Sequence, residues 1–472
     1  MIKEFIRGAN PYMPLWEHVP DGEPRVFTHN GETRVYVYGS HDTEKTQYCG
    51  KDYVVWSAPV SDLTDWRCDG VCFEWDTILY APDVVKKGDT YYMYAAPDKG
   101  ETVYVAESKS PAGPFVNPRK TDFGFDIGVL VDDDGRCYAY WGFLKCYCAE
   151  INDDMATIKN GTFKVNMIPH CDFRTNHWDS ENIDTEFCYF EAASIRKVMG
   201  KYVFIYSKRI KIGDSERALA PNTNCYLDYA YSNSPLSGWV HGGTISNCSG
   251  AVIVNPDGTK KRAYQTCNNH GSIAKINGRW YIFYHRGTGT NGYARQAMLE
   301  PIDIALEDDR LYIGSITYDK DGRVSGCTEA EMSSQGAHTD GLDARKIISA
   351  GYTCYINSPD SSDKAYILPV YDKNNPSAPV VNIKDGTVIG FKYINFGGVS
   401  PKEVYLRIKP FCAINILINL DTPAGKPLCS VRAEAAADYR ILSAPLKCEA
   451  TGKHAVYITF GAECEFDFIT FE

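Results

Sequence analysis

Four carboxylates and one histidine recur at comparable places in the first 300 residues. Each precedes the last tyrosine of an aromatic stretch, by 15, 11, 14, 15 and 14 residues in chain order. Clustered carboxylates repel one another, so a retained cluster is typical of a site that uses shifted pKa values. If the stretches are structural repeats, all five side chains converge on one site. The five residues are Glu23, Asp83, Asp126, Glu191 and His270, and the tyrosines are Tyr38, Tyr94, Tyr140, Tyr206 and Tyr284.

Acids gathered among aromatic residues suit the hydrolysis of glycosidic bonds. One protonated carboxyl gives its proton to the leaving oxygen, and one ionised carboxylate activates water. Apolar neighbours raise the pKa of a carboxyl, and Glu191 follows the apolar letters CYF, so we predict Glu191 as the general acid. Glu23 lies in the polar turn PDGEPR, where a carboxylate stays ionised, and we predict it as the general base. Asp126 is the third carboxylate, whose charge keeps the neighbouring proton bound.

The elements that must position these residues form five weakly similar units. Each unit has a short apolar segment, a turn with Gly or Asp, an aromatic segment and a polar segment. The turns Asn30-Gly31, Asp134-Gly135 and Asn277-Gly278 are typical of β-hairpins. No long stretch with a helical period separates the units, which argues against an α/β sheet. Radially repeated four-stranded sheets predict an all-β fold, a five-bladed β-propeller over residues 1–320, whose innermost strands carry the five residues into a central channel.

Bulk properties exclude several other classes of protein. The chain has 472 residues, among them 33 Tyr and 20 Phe, which favours strands and more than one domain. Its net charge of -11 offers no basic patch for nucleic acid. No run of 18 apolar residues predicts a membrane span, and the start MIKEFIRGAN lacks the apolar stretch of a signal peptide, so we expect a cytoplasmic protein. The 17 cysteines favour reduced, buried thiols over a disulfide framework. The oligomeric state stays open.

The order of the motifs resembles glycoside hydrolase family 43 over roughly residues 8–320. The segments APDV, FDIGVLVDDDG, YFEAASI, NNHGSI and RWYIFYHR follow one another as they do in that family. The resemblance implies a five-bladed propeller and inverting hydrolysis, with Glu23 as base, Asp126 as pKa modulator and Glu191 as acid. It departs from the family at Glu23-Pro24, where relatives carry Asp-Pro. The longer side chain moves the carboxylate by about one bond length, in a reaction where about 1 Å of misplacement is costly.

The same resemblance implies the remaining site residues and the substrate. Arg295 contacts the sugar, Asp83 lies on the substrate side, and His270 approaches a structural calcium ion in the channel through water. No cofactor is required for the chemistry. The expected substrate is an oligosaccharide or polysaccharide of plant type, from which α-L-arabinofuranosyl or β-D-xylosyl residues are released. A β-D-galactofuranosidase or galactan-directed hydrolase on the same scaffold, or a non-catalytic sugar-binding propeller, are the alternatives.

The C-terminal third predicts a second domain. Residues 321–349 are rich in Gly, Ser and Thr and predict a linker or an inter-domain packing segment. The alternating segments VIGFKYINFG, KEVYLRIKP and AINILINLD predict a β-sandwich over residues 350–472. GFKYINFGG and INLDTPAGKPL resemble carbohydrate-binding module family 6, a jelly roll, which implies sugar binding through exposed aromatic rings. A purely structural domain that closes one face of the propeller is the alternative. Tyr352, Tyr355 and Tyr366 are the candidates, although core positions are expected for each.

Overall fold

The computed structural model describes residues 3–98, 102–170, 186–210, 223–254, 258, 260–264, 267–288, 292–360 and 362–472. Regular structure in these residues is almost all β, and one 3-10 helix spans Ala350–Tyr352. No helix in the described part of the chain is long and apolar enough to cross a membrane. The prediction of an all-β fold is therefore confirmed.

Five antiparallel sheets in the described residues form blades I to V. Blade I has β1 (Glu23–His29), β2 (Glu32–Tyr38), β3 (Asp52–Pro59) and β4 (Arg67–Glu74). Blade II has β5 (Leu79–Lys87), β6 (Thr90–Pro97), β7 (Tyr104–Ser108) and β8 (Val116–Lys120). Blade III has β9 (Gly128–Val131), β10 (Cys137–Trp141), β11 (Tyr147–Ile151) and β12 (Lys164–Val165). Blade IV has β13 (Tyr189–Val198), β14 (Lys201–Ile210), β15 (Thr223–Ser232) and β16 (Val240–Asn247). After the hairpin of β17 (Val252–Val254) and β18 (Lys260–Arg262), blade V has β19 (Ser272–Ile276), β20 (Arg279–Arg286), β21 (Gln296–Glu307), β22 (Arg310–Tyr318) and β23 (Val324–Thr328).

The first strands of the blades close a ring. Strand β1 contacts β5, β5 contacts β9, β9 contacts β13, β13 contacts β19, and β19 returns to β1. Blades packed in this way place their first strands around one axis, so the five-bladed propeller is confirmed. The tyrosines of the aromatic segments, on the second strand of each blade, are buried. The first hairpins of blades I and V turn at Asn30-Gly31 and Asn277-Gly278. Both residues of each pair have positive φ, as a type I′ turn requires.

The chain after blade V forms two packed sheets. Its strands are β24 (Leu342–Asp343), β25 (Ile348–Ser349), β26 (Tyr355–Asn357), β27 (Tyr366–Ile367), β28 (Val380–Ile383), β29 (Thr387–Asn395), β30 (Glu403–Pro410), β31 (Ile414–Leu420), β32 (Lys426–Ala433), β33 (Arg440–Pro445), β34 (Lys453–Phe460) and β35 (Cys464–Phe471). One sheet runs β24-β29-β34-β31-β32 with β26 beside β29, and the other runs β27-β28-β35-β30-β33 with β25 beside β35. The predicted β-sandwich is thus present. Strands β23, β24 and β25 lie within residues 321–349, and the boundaries at 320 and 350 stay a prediction.

The sandwich and the propeller share buried contacts. One apolar cluster contains Ile282 of blade V together with Phe391 and Ile469 of the sandwich. Arg286 on β20 is fully buried and donates through Nη2 to the carbonyl oxygen of Gly351, 2.6 Å away. The propeller therefore packs directly against the C-terminal sheets.

The segment before β1 is held by chain regions far away in sequence. The N–H groups of Ile6 and Asn10 donate to the carbonyl oxygens of Ile347 and Ser334, both at 2.9 Å. The side-chain amide of Asn10 also donates to the carbonyl oxygen of Leu299. These bonds fix the chain that leads into the channel.

The cysteines are mostly thiols, as the sequence predicts. Fifteen described cysteines are free, and most of them are buried. Cys188 is the exception, because it is disulfide-bonded.

Candidate active site

The strand register separates the carboxylates of the channel into two layers. Glu23 and Asp83 pair with Tyr38 and Tyr94 on the neighbouring strand. On blade III the residue that pairs with Tyr140 is Gly128, so Asp126 lies two residues before that position. The equivalent of Asp126 on blade I is therefore Asp21, a residue that the sequence analysis did not select.

We call Asp21, Asp126 and Glu191 the outer carboxylates and Glu23 and Asp83 the inner carboxylates. The outer group keeps some exposure, with Asp21 at 5%, Asp126 at 4% and Glu191 half-buried. Both inner carboxylates are 0% exposed. Of these five carboxylates, the outer three therefore keep some solvent exposure and the inner two keep none.

The backbone is strained at the outer carboxylates. Asp21 and Asp126 have φ of 59° and 54°, in the left-handed region that side chains other than glycine rarely adopt. Ala192, directly after Glu191, has φ of 67°, and Ala294, directly before Arg295, has φ of 54°. Such conformations persist where the surrounding structure enforces them, and they concentrate at functional sites.

Glu191 is set up to hold a proton near neutral pH. Burial raises its pKa to about 7, against a hydrogen bond from Asn224 that lowers it and with the negative charge of Asp21 raising it. The Asn224 amide donates to Glu191 Oε1 at 3.0 Å. A carboxyl with this pKa can give a proton to a leaving oxygen at neutral pH.

The negative charges of Asp126 and Glu191 repel each other. Burial raises the pKa of Asp126 well above its ordinary value, and the charges of Glu191 and Asp21 raise it further. Its Oδ2 accepts the N–H of Ala192 at 2.9 Å, which fixes the carboxyl against the backbone of the acid strand. Mutual repulsion and burial therefore make Glu191 and Asp126 retain a proton between them.

Asp21 has the opposite electrostatic setting. Burial raises its pKa, but the electrostatic effects of Arg295, His285 and His270 and the hydrogen bond from Ser40 together outweigh burial, so that the pKa lies below its ordinary value. Arg295 Nη1 lies 3.2 and 3.3 Å from the two oxygens of Asp21. Ser40 donates to Asp21 Oδ2 at 2.6 Å, and the Asp21 N–H donates to Nδ1 of His285 at 3.1 Å. Asp21 is an ionised carboxylate held in one orientation.

Arg295 is fully buried and donates hydrogen bonds to two carboxylates, Asp21 and Asp42. Its Nε and Nη2 donate to Oδ2 and Oδ1 of Asp42, each at 2.9 Å, in a bidentate pair. Its Nη1 also donates to the hydroxyl of Tyr48 at 2.9 Å. The structure thus brings Arg295 to the outer carboxylates, while its predicted contact with the sugar stays a prediction.

The inner carboxylates are occupied by two arginines. Arg196 Nη2 donates to Glu23 Oε2 at 2.5 Å. Arg25 donates hydrogen bonds through Nε and Nη2 to the carboxylate of Asp83 at 2.7–3.1 Å. Burial raises the pKa of Glu23, but the electrostatic effects of Arg196, Arg25 and His270 together outweigh burial, so that the pKa lies below its ordinary value. Glu23 is ionised as the sequence predicts, but it is paired and buried, and it does not join Asp126 and Glu191.

His270 interacts with one carboxylate of each layer, Asp21 and Glu23. It is also the residue near which a calcium ion was expected. Burial lowers its pKa, so the ring is neutral, and the charges of Asp21 and Glu23 act on it. In the described residues, His270 Nε2 and Glu23 Oε1 are the buried polar atoms here that make no hydrogen bond to protein. Ca²⁺ takes six to eight oxygen ligands, and no group of three or more His, Cys, Asp or Glu in the described chain could hold a metal. The residues present therefore do not fit a calcium ion that several side chains bind directly, and the expected approach of His270 to calcium through water stays a prediction.

Aromatic rings border the outer carboxylates in a continuous series that we call the aromatic collar. Phe125 precedes Asp126 and Phe190 precedes Glu191 in the chain. Neighbouring ring centroids in the collar lie 5.1–6.3 Å apart. Most of the rings are partly or well exposed. The collar consists of Tyr293, Tyr48, Tyr80, Phe125, Phe143 and Phe190.

A propeller that gathers one depressed and one elevated carboxyl pKa among aromatic rings defines a class of protein, the glycosidases that work by paired carboxylates. The sequence matches Glycosyl hydrolases family 43 over residues 21–309. It is 33% identical over 451 residues to a xylosidase/arabinosidase of Thermoclostridium stercorarium, covering 85% of this chain and 86% of that protein. It is 27% identical over 368 residues to xylosidase/arabinosidase 43A of Humicola insolens, covering 66% of this chain and 98% of the relative. The chain therefore belongs to glycosyl hydrolase family 43.

Two solved structures match 67% and 96% of this chain. A family 43 β-xylosidase/α-arabinofuranosidase from a compost microbial metagenome, in complex with xylotriose and in a calcium-free form, is 24% identical with a TM-score of 0.46. It covers 67% of this chain and 96% of that structure. An arabinoxylan arabinofuranohydrolase from Bacillus subtilis, in complex with cellotetraose, is 19% identical with a TM-score of 0.46 and covers 96% of both chains.

Proposed function

We propose that this glycosidase releases terminal α-L-arabinofuranosyl or β-D-xylosyl residues with inversion, using Glu191 as general acid and Asp21 as general base. The observation that carries the assignment is the opposite pKa shift of these two carboxyls beside Asp126. Asp21 takes the role that the sequence assigns to Glu23, because Glu23 is buried in an ion pair with Arg196.

The reaction needs one proton delivered and one removed. Protonated Glu191 gives its proton to the glycosidic oxygen as the bond to the anomeric carbon breaks. A water molecule attacks that carbon from the opposite face and loses a proton to ionised Asp21, which yields the inverted sugar and a free alcohol. Asp126 keeps the Glu191 proton bound before the reaction, and Arg295 holds Asp21 ionised and in place. After the products leave, Asp21 releases its proton to solvent and Glu191 takes up a proton from solvent, so both carboxyls return to their starting states.

The aromatic collar supports a sugar substrate. Rings around a polar centre stack on the apolar faces of sugars, while the carboxylates accept bonds from hydroxyl groups. The sugar type follows from the relatives, two of which are named xylosidase/arabinosidase. Both sugars are pentoses.

The test follows product stereochemistry and leaving-group dependence. Proton NMR of the first product from nitrophenyl β-D-xyloside and nitrophenyl α-L-arabinofuranoside should show the inverted anomer. Glu191→Gln should lose about 10²–10⁴-fold in kcat on natural xylobiose, and much less on a substrate whose leaving group needs no proton. Asn224→Ala, which keeps the acid, is the matched control. Retention of configuration, or undiminished hydrolysis of xylobiose by Glu191→Gln, contradicts the proposal.

A second proposal concerns the sandwich, which we suggest binds oligosaccharide as a family 6-like module. Tyr352 and Tyr355 are buried, but Tyr366 is half-buried and Phe411 is 48% exposed. Both line an open cavity of about 560 Å³ together with the polar side chains of Asp363 and Asn382. Affinity electrophoresis in xylan should show retardation that the Tyr366→Ala and Phe411→Ala double variant loses. Equal retardation of both proteins contradicts sugar binding there.

A further inference from the structure

The inner carboxylates and their arginines form a closed set of four charges at the propeller axis. Arg25 and Arg196 each carry one positive charge, and Glu23 and Asp83 each carry one negative charge, so the set is neutral. The side chains of Arg25 and Arg196 are 12% and 11% exposed, and those of Glu23 and Asp83 are 1% and 0% exposed. Buried charges are stable in proteins only when they are paired and hydrogen-bonded, and this set meets both conditions.

Arg196 uses all its donors to join three blades. It extends from β13 of blade IV, and its Nε donates to the carbonyl oxygen of Ile273 on blade V at 3.0 Å. Its Nη1 donates to the carbonyl oxygen of Ile195 and approaches Ser194 Oγ. Its Nη2 donates to Glu23 and to the carbonyl oxygen of Pro24 on blade I. The five N–H groups of the guanidinium thus have five acceptors.

Arg25 joins the remaining blades in the same way. It extends from β1 of blade I and binds both oxygens of Asp83 on blade II. Its Nη2 also donates to the carbonyl oxygen of Val129 on blade III at 3.1 Å, and the Val129 N–H returns a bond to Asp83 Oδ2 at 2.8 Å. Together the two guanidinium groups link the innermost strands of all five blades.

We propose that Arg196, together with Arg25, takes the place of a metal ion at the propeller axis, so that the fold and the outer carboxylates of this enzyme do not depend on calcium. Arg196 supplies a positive charge beside Glu23, and the charge of Glu23 acts in turn on His270, the residue near which the calcium ion was expected. A divalent cation on the free Glu23 oxygen would face the guanidinium on the other oxygen, and like charges repel. Arg196 is a positioning residue, because it acts on the site through Glu23.

The experiment uses the full chain and reads metal content and thermal stability, neither of which requires hydrolysis. Wild-type protein dialysed against EDTA and then against calcium chloride should hold well under one calcium per chain by elemental analysis. Its Tm should differ by less than about 1 °C between EDTA and calcium, since a ligand that does not bind the folded state does not stabilise it. One equivalent of calcium that survives dialysis, or a Tm that falls in EDTA, overturns the proposal.

Variants test whether Arg196 occupies the position of a cation. Arg196→Met leaves Glu23 as an unpaired buried charge, so its Tm should fall by about 5 °C or more and should recover partly when calcium is added. Arg196→Lys keeps the charge and should show no calcium response. An Arg196→Met protein that folds but ignores calcium refutes the substitution of cation by guanidinium.

Two further variants guard against a trivial loss of folding. The double variant Glu23→Gln with Arg196→Met removes both charges of the pair, so it should be more stable than Arg196→Met alone and insensitive to calcium. Arg67→Met removes a guanidinium from an exposed pair with Asp69 and should leave Tm within about 1 °C of wild type. A calcium response in the double variant overturns the assignment of Glu23 as the carboxylate that Arg196 neutralises.

Discussion

Asp21→Asn and Glu23→Gln form a matched pair that tests the assignment of the base. Each change keeps the side-chain shape and removes one negative charge. Asp21→Asn removes the group that accepts the proton of water, and loss of a general base typically costs about 10²–10⁴-fold in kcat. At 1.36 kcal/mol for each tenfold step, that is roughly 2.7–5.4 kcal/mol of transition-state stabilisation.

The structure also predicts how each variant affects folding. Arg295 keeps its bidentate pair with Asp42 when Asp21 is replaced, so Asp21→Asn should fold with nearly the stability of wild type. Glu23→Gln leaves the Arg196 charge without a counter-charge, and breaking a buried pair costs about 3–5 kcal/mol. Glu23→Gln should therefore lower Tm clearly while its folded fraction keeps kcat within about tenfold of wild type.

The assay measures kcat on nitrophenyl xyloside and Tm for both proteins, with azide rescue as the decisive step. Azide entering the space of a deleted base attacks the sugar and gives a glycosyl azide, so azide should restore turnover to Asp21→Ala and leave Glu23→Ala unchanged. Rescue of Glu23→Ala by azide, combined with near wild-type kcat in Asp21→Asn, would refute the assignment of Asp21 as the base and of Glu23 as a buried inner carboxylate.

Three further outcomes are expected. The kcat/KM profile should fall above about pH 7, because Glu191 must be protonated, and should hold well into acid, because the pKa of Asp21 is lowered. Asn224→Leu removes a hydrogen bond that lowers the pKa of Glu191, so the basic limb should move up by about 0.5–1 pH unit in the same assay. Burial raises the pKa of Glu300 from 4.5 to about 8, so its protonated form contributes stability that is present at acid pH and lost as the pH rises to about 8. Glu300→Gln should flatten the decline of Tm across that range, and an unchanged slope would contradict this role.

The fold was predictable because its signals are local. Aromatic segments, short apolar segments and turns such as Asn30-Gly31 lie within single hairpins, so each blade can be recognised from neighbouring residues. The choice between Asp21 and Glu23 could not be made in that way, because residues i and i+2 of a strand point to the same side. The two-residue offset emerges from strand register: Asp126 precedes the residue that pairs with Tyr140. Aligning the units on that pairing would have selected Asp21.

Long-range partners explain the remaining differences. Glu23 and Arg196 are 173 positions apart, and no pattern near either residue predicts their contact. The expectation of calcium came from a resemblance and not from the charges of the chain. A sequence search for arginines on the first strands of the blades would have shown Arg25 and Arg196 as candidates to neutralise the channel.

The anchoring of the segment before β1 has a consequence for the timing of protein synthesis. Asp21 leaves the ribosome hundreds of residues before the groups at Leu299, Ser334 and Ile347 that hold the chain leading to it. Arg295, which keeps Asp21 ionised, also arrives late. Blades I to IV can therefore be assembled during translation while the base is still unsupported. A chain synthesised only as far as blade IV has no complete catalytic apparatus, and activity begins only after Arg295 and the later anchoring residues have emerged.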